Sequence, residues 1–236
     1  MSSGSYPTDA QARALILEYG RRMYQKNFVA ANDGNISCKV SDDTLWATPT
    51  GVSKGFMTED MLVKLDLNGS VLEGTSRPSS EIRMHLRLYR ENPAIGGVTH
   101  AHPPVSTTFA AAGIPLDRAI LQEAVMLLGV IPVAPYALPG TEALAESVAP
   151  FCRDYNGLLL EHHGVVTWGT DLTRAYYRLE SVEYNAQVYM NTRLLGFDHL
   201  LSEDRIDALM ALRPKWGVAA GGRPVGSGKK DEEEEP

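Results

Sequence analysis

The chain has 236 residues, 44% apolar and 22% charged, with 22 Lys and Arg against 29 Asp and Glu and a net charge of −7. This is the composition of a globular chain able to bury a sizeable core, and without a visible linker it reads as one large domain. The acidic balance, with no basic stripe, argues against nucleic acid as a partner. The two distant cysteines, Cys38 and Cys152, fit a reducing cytoplasm rather than a disulfide framework. With no signal-like apolar region and no long apolar run, neither export nor a membrane partner is expected.

Thr8 or Asp9 is placed to cap a first helix to about position 26, with Leu15, Ile16, Tyr19 and Met23 on one face. ISCKV and TLWAT read as strands joined by a tight turn, and MTEDM as one helical turn. LVKLDL reads as a strand that ends in an Asn68-Gly69 turn, with VLEG as its hairpin partner. A helix is predicted from Ser79 or Ser80 to about position 91, with Ser80 as cap and Glu81 in the first turn. GGVTHAH is a strand and VSTTFAAAG a helix; positions 120–128 are ambiguous, and VIPVAPY is extended because of its prolines. Thr141 is expected to cap a helix to about position 155, and GLLLEHHG and VVTWG are strands. Asp171 caps a long helix to about 195, with Leu172, Ala175, Leu179, Val182, Ala186 and Met190 recurring at helical spacing, and a last helix covers about 202–212. This order points to an antiparallel or mixed sheet with helices on both faces. The Gly-rich, then charged, stretch from about 218 to 236 is read as unable to bury apolar surface and is expected to be disordered.

The chemistry concentrates on histidine. His100 and His102 stand at i and i+2 of a predicted strand and so share a face. Two imidazoles, a third from a second strand and one open position make a catalytic rather than a structural zinc site. His162 and His163 compete for the third place, since adjacent strand residues face opposite sides and parity alone does not choose. Glu81 is the candidate acid–base, a carboxylate placed to act beside a dication. His85, four residues on, shares its helical face and is a candidate partner for it. His199 lies in a polar loop and carries no role. Three small-residue loops, Asp33-Gly34-Asn35, Thr48-Pro49-Thr50-Gly51 and Pro78-Ser79-Ser80, offer backbone N–H groups and hydroxyls to an anion such as phosphate.

The ordered motifs GNISCK, TPTG, RPSSE, THAHP, PYALPGT and LLLEHHG resemble the class II aldolase/adducin family over about positions 15–217. The resemblance implies a three-layer α/β/α sandwich around a mainly antiparallel central sheet, one domain over 8–217, and a cytoplasmic homotetramer with active sites between subunits. It implies Zn²⁺ on His100, His102 and His163, with Mn²⁺ or Co²⁺ also suited to such donors. It makes Glu81 catalytic and Gly34, Asn35, Thr50, Gly51, Ser79 and Ser80 the holders of a substrate phosphate. The implied reaction is retro-aldol cleavage of a ketose 1-phosphate, such as L-fuculose 1-phosphate or a 5-deoxy-pentulose 1-phosphate, to dihydroxyacetone phosphate and an aldehyde.

The chain departs from the family at the aldehyde end. Trp216 falls where a C-terminal tyrosine is expected, and indole N–H cannot serve as that acid or base. Leu121 and Pro139 replace aromatic residues, and Glu123 is an extra carboxylate that either stands in for the missing acid or merely caps a surface helix. The same motifs serve sugar-phosphate 4-epimerases, a methylthioribulose-1-phosphate dehydratase, sugar-acid-phosphate decarboxylases and adducin-like scaffolds. The glutamate after PSS favours aldolase over epimerase, and the three histidines disfavour a scaffold.

Overall fold

The computed structural model describes residues 6–196 and 199–228. Helix α1 (Asp9–Gln25) opens on a Thr8 capping box: Gln11 N–H donates to the Thr8 side chain and Thr8 N–H to the Gln11 side chain. Strands β1 (Asn35–Lys39) and β2 (Thr44–Ala47) form a hairpin, and β3 (Val63–Asp66) with β4 (Val71–Glu73) forms a second. Helix α2 (Ile82–Glu91) leads to β5 (Gly97–Ala101), followed by α3 (Pro104–Ala111) and α4 (Gln122–Leu127). After β6 (Val133–Ala134) and α5 (Glu142–Val148) come the adjoining strands β7 (Gly157–Leu160) and β8 (Gly164–Gly169). The long α6 (Leu172–Leu194) and the short α7 (Glu203–Met210) complete the set.

The eight strands form one sheet in the order β4-β3-β2-β1-β5-β8-β7-β6. Every neighbouring pair is antiparallel except β6 and β7. Alternation along the strands divides the apolar side chains between two cores. Trp46, Leu159 and Val165 pack with residues of α1, α3 and α6, while Leu45, Leu158, Leu160 and Val166 pack with residues of α2 and α5. The sheet is therefore the middle of three layers, and both of its faces are buried. On β1 the same alternation sends Ile36 and Cys38 into the α1/α6 core, which leaves Asn35, Ser37 and Lys39 on the α2 side. His100 of β5 shares that side with Val98.

Several boundaries differ from the sequence expectation, each for a local reason. Glu81 is the residue before α2, not in its first turn, and Ser80 is not the cap. The chain is pinned there by backbone bonds from Ser79 to Thr48 and from Thr50 to Arg77, so a turn precedes the helix. Helix α5 stops at Val148 and gives way to a 3₁₀ turn, Ala149–Phe151, at Pro150. Thr141 holds the cap position, but its hydroxyl donates to Leu138 O instead of capping. His162 and His163 lie in the turn between β7 and β8, not on a strand.

The expectation of disorder from 218 does not hold for residues 218–228. Val130 N–H donates to Gly221 O (2.6 Å), Gly221 N–H to Asp154 O (2.7 Å), Ala119 N–H to Val225 O and Val225 N–H to Asp117 O. A β-carbon on Gly129 would stand 1.8 Å from Gly221 O, so a glycine is required for that approach. Backbone pairing, together with burial of Val218, holds this stretch, and a Gly-rich composition does not reveal such pairing. Positions 229–236, including the acidic run, lie outside the described residues.

Candidate active site

His100 enters the site from the next-to-last position of β5, paired opposite Asn35 in the sheet. Its Nδ1 donates to Val165 O (2.8 Å), which leaves Nε2 facing inward. His102 follows one residue beyond the strand end, and its Nε2 lies 3.1 Å from His100 Nε2. Its other nitrogen, Nδ1, is 3.3 Å from Asp33 Oδ2. His163 completes the group, because His162 takes a left-handed φ of 56° that turns the chain between the two strands. Gly164 is required next: a β-carbon there would stand 2.5 Å from the His102 ring and 2.6 Å from Ala101 O. The ring centroids of the three histidines are 4.7–5.0 Å apart. One nitrogen from each ring lies within 4.8 Å of the others. Two of the rings thus have the opposite nitrogen engaged by a carbonyl or carboxylate, as oriented metal-ligating imidazoles do.

Glu81 closes the group. Its two carboxylate oxygens lie 3.3 Å from His100 Nε2 and 3.3 Å from His163 Nε2. Burial alone would raise its pKa, but His100, by charge and hydrogen bond, with His163 and Asn35, outweighs that and holds the carboxyl far below the usual carboxylate range. Burial and the neighbouring His100 push His102 and His163 down to about 4, so both present neutral lone pairs at neutral pH. The site therefore concentrates electron pairs around one point, and two of its buried polar atoms, Glu81 Oε1 and His163 Nδ1, have no hydrogen-bond partner. Borderline nitrogen donors, a carboxylate and orphaned polar atoms fit a divalent cation such as zinc.

A cavity of about 210 Å³ opens from His102, His163 and Glu81. Its remaining wall is formed by the three small-residue loops and includes Gly34, Asn35, Thr50, Gly51, Ser79 and Ser80. An antiparallel bridge between Pro49 and Pro78 joins the second loop to the third. All six residues named from sequence as phosphate holders thus share one concavity with two of the histidines and the carboxylate. The Asn35 side chain is committed elsewhere: its Nδ2 donates to Glu81 Oε2 (2.9 Å) and its Oδ1 meets His85 Nε2 (2.6 Å).

Glu123 and Trp216 do not line the cavity. Glu123 is exposed in the first turn of α4, and Trp216 is 60% exposed at the end of a 3₁₀ turn. Two useful residues were not legible in sequence. In the sequence Asp33 is only one residue of a small-residue loop, yet it meets His102. Lys54 is almost wholly buried and donates to Asn32 O (3.1 Å) and to Val52 O, so it ties the first glycine loop to the second. Burial pushes its pKa down to about 8 against the opposing pull of Asp33. Nothing in TGVSKG marks that lysine as internal.

The family model of the class II aldolase and adducin N-terminal domain matches residues 14–190. The chain belongs to this family. Among its curated members, an L-fuculose phosphate aldolase of Methanococcus maripaludis is 35% identical over 168 residues, 71% of this chain and 90% of the relative. A 3-oxo-tetronate 4-phosphate decarboxylase of Pectobacterium atrosepticum is 32% identical over 191 residues, 79% of this chain and 87% of the relative. Among solved structures, an L-fuculose 1-phosphate aldolase superposes with a TM-score of 0.80 at 26% identity, covering 89% of this chain and 98% of its own. The fold expected from the motifs is the class II aldolase fold, and the described helices and sheet agree with it. Membership together with these relatives supports an enzyme of the aldolase and lyase type in sugar-phosphate chemistry.

Proposed function

We propose that His100, His102 and His163 hold a divalent cation, zinc by preference, and that the enzyme cleaves a ketose 1-phosphate to dihydroxyacetone phosphate and an aldehyde. L-Fuculose 1-phosphate and 5-deoxy-pentulose 1-phosphates are the proposed substrates. The observation that carries this reading is the single concavity shared by inward-facing imidazoles, the Glu81 carboxylate and three loops of hydroxyls and glycines. A cation held there supplies a Lewis acid that takes up negative charge as the carbon–carbon bond breaks. Thr50, Ser79 and Ser80, with the backbones of Gly34, Asn35 and Gly51, bind the phosphate and fix the sugar against the imidazoles, which lowers the entropic part of the barrier. In the direction of synthesis the ionised Glu81 removes a proton from the hydroxymethyl carbon of dihydroxyacetone phosphate, and water gives one to the aldehyde oxygen as the carbon–carbon bond forms; in cleavage the hydroxyl gives its proton to water and Glu81 returns one to the carbon. Oε1 is the oxygen suited to this, because Oε2 already accepts from Asn35.

We further propose a homotetramer at work in the cytoplasm, with sites between subunits. The exposure of Trp216, Tyr136 and Leu138 supports surfaces that another subunit covers. An auxiliary role for Glu123 or Trp216 then belongs to a neighbouring subunit's site. A panel of ketose 1-phosphates, assayed for dihydroxyacetone phosphate by a coupled dehydrogenase, tests the reaction. Release from L-fuculose 1-phosphate or a 5-deoxy-pentulose 1-phosphate is expected. No release from any ketose 1-phosphate, with carbon dioxide evolved from 3-oxo-tetronate 4-phosphate, would make the enzyme a decarboxylase instead.

A further inference from the structure

Behind Glu81 lies a buried line of polar side chains whose hydrogen-bond directions are forced. It runs from Glu81 Oε2 to Asn35 Nδ2 (2.9 Å), from Asn35 Oδ1 to His85 Nε2 (2.6 Å), from His85 Nδ1 to Ser37 Oγ (2.7 Å), and from Ser37 Oγ to Tyr89 Oη (2.8 Å). Asn35, Ser37, His85 and Tyr89 are each at most 3% exposed. An ionised carboxylate can only accept, so the Asn35 amide turns its nitrogen toward Glu81 and its oxygen toward His85. That oxygen can only accept, so His85 carries its proton on Nε2. His85 is wholly buried, and burial and the nearby His100 push its pKa down to about 3, so it is neutral and Nδ1 is a bare acceptor. Ser37 must donate to it, and Tyr89 must donate to Ser37. Every donor in the line points toward Glu81, and such chains strengthen one another in a dry interior.

We propose that His85 is a positioning residue for the reaction: with Tyr89, Ser37 and Asn35 it holds one oxygen of Glu81 fixed, so that the other faces the substrate carbon. This rests on the role given to Glu81 above. His85 does not line the cavity, and its side-chain hydrogen bonds go to Asn35 and Ser37, so it reaches Glu81 through the Asn35 side chain. Replacing it with leucine cuts the chain between Asn35 and Ser37. Glutamine can still offer an N–H to Asn35.

The test is a cycle of variants assayed for turnover and bound metal, with ¹⁵N-histidine NMR of the wild-type protein. His85→Leu is expected to lower kcat by about 10–100-fold with KM and metal content nearly unchanged, the range that follows loss of an orienting partner. His85→Gln should recover most of that loss. In a Glu81→Gln background, His85→Leu should change the residual rate by less than about twofold, because coupled residues are not additive. The NMR should show His85 protonated on Nε2 and bare on Nδ1 from about pH 5 to 8, where an ordinary histidine titrates. An equal loss from His85→Leu with or without Glu81 would make the residue merely structural, and a proton on Nδ1 would overturn the direction of the chain. Should His85→Leu fail to fold, His85→Gln and the wild-type spectrum decide. Full activity in Glu81→Gln alone would instead remove the reading of Glu81, a distinguishable failure.

Discussion

Glu81→Gln is expected to keep its metal and to lose about 10²–10⁴-fold in kcat, the usual contribution of a positioned general acid–base. Glutamine has the shape of glutamate and its carbonyl can still accept from Asn35, so the local structure should persist. It cannot take or return a proton at the substrate carbon. Three imidazoles remain to hold the cation, and metal analysis should show it near stoichiometric. The loss corresponds to roughly 3–5.5 kcal/mol of barrier. Turnover within a few fold of the parent would take Glu81 out of the chemistry, whatever the state of the cation.

His102→Ala is expected to release the cation and abolish turnover together. His102 puts one nitrogen beside His100 and the other beside Asp33, so its loss removes a donor and the carboxylate link behind it. Affinity should fall by more than the roughly 10–100-fold that follows loss of an outer partner. The fold should survive, because His102 lies at the cavity wall rather than in either core. Elemental analysis after dialysis reads the result directly. Stoichiometric metal in the variant would show that His102 is not a ligand.

Much of this was open to reading in the sequence, and the reasons differ by element. The helices α1 and α6 carry regular apolar spacing and strong caps at Thr8 and Asp171, so their limits were predicted to within a residue or two. The pair His100 and His102 was legible because a strand alternates faces. The third histidine of the group was not legible from parity, because His162 adopts a left-handed conformation that no strand rule anticipates; the family resemblance pointed to His163, and the geometry brings that ring to the other two. Glu81 stands beside the histidines, but its place before α2 was not legible, since the constraint comes from backbone bonds to a loop about thirty residues away. The link from Glu81 to His85 was anticipated as a shared helical face, whereas it runs through Asn35 on a strand. Lys54 and the pairing of residues 218–228 depend on backbone carbonyls, which leave no trace in side-chain pattern.

Crystals of the wild-type protein, examined by anomalous diffraction across the zinc edge, test the central claim most directly. A single strong peak is expected about 2.0–2.1 Å from one nitrogen each of His100, His102 and His163, the ordinary zinc–imidazole distance. Metal-replete crystals whose anomalous peak lies away from these three rings would contradict it.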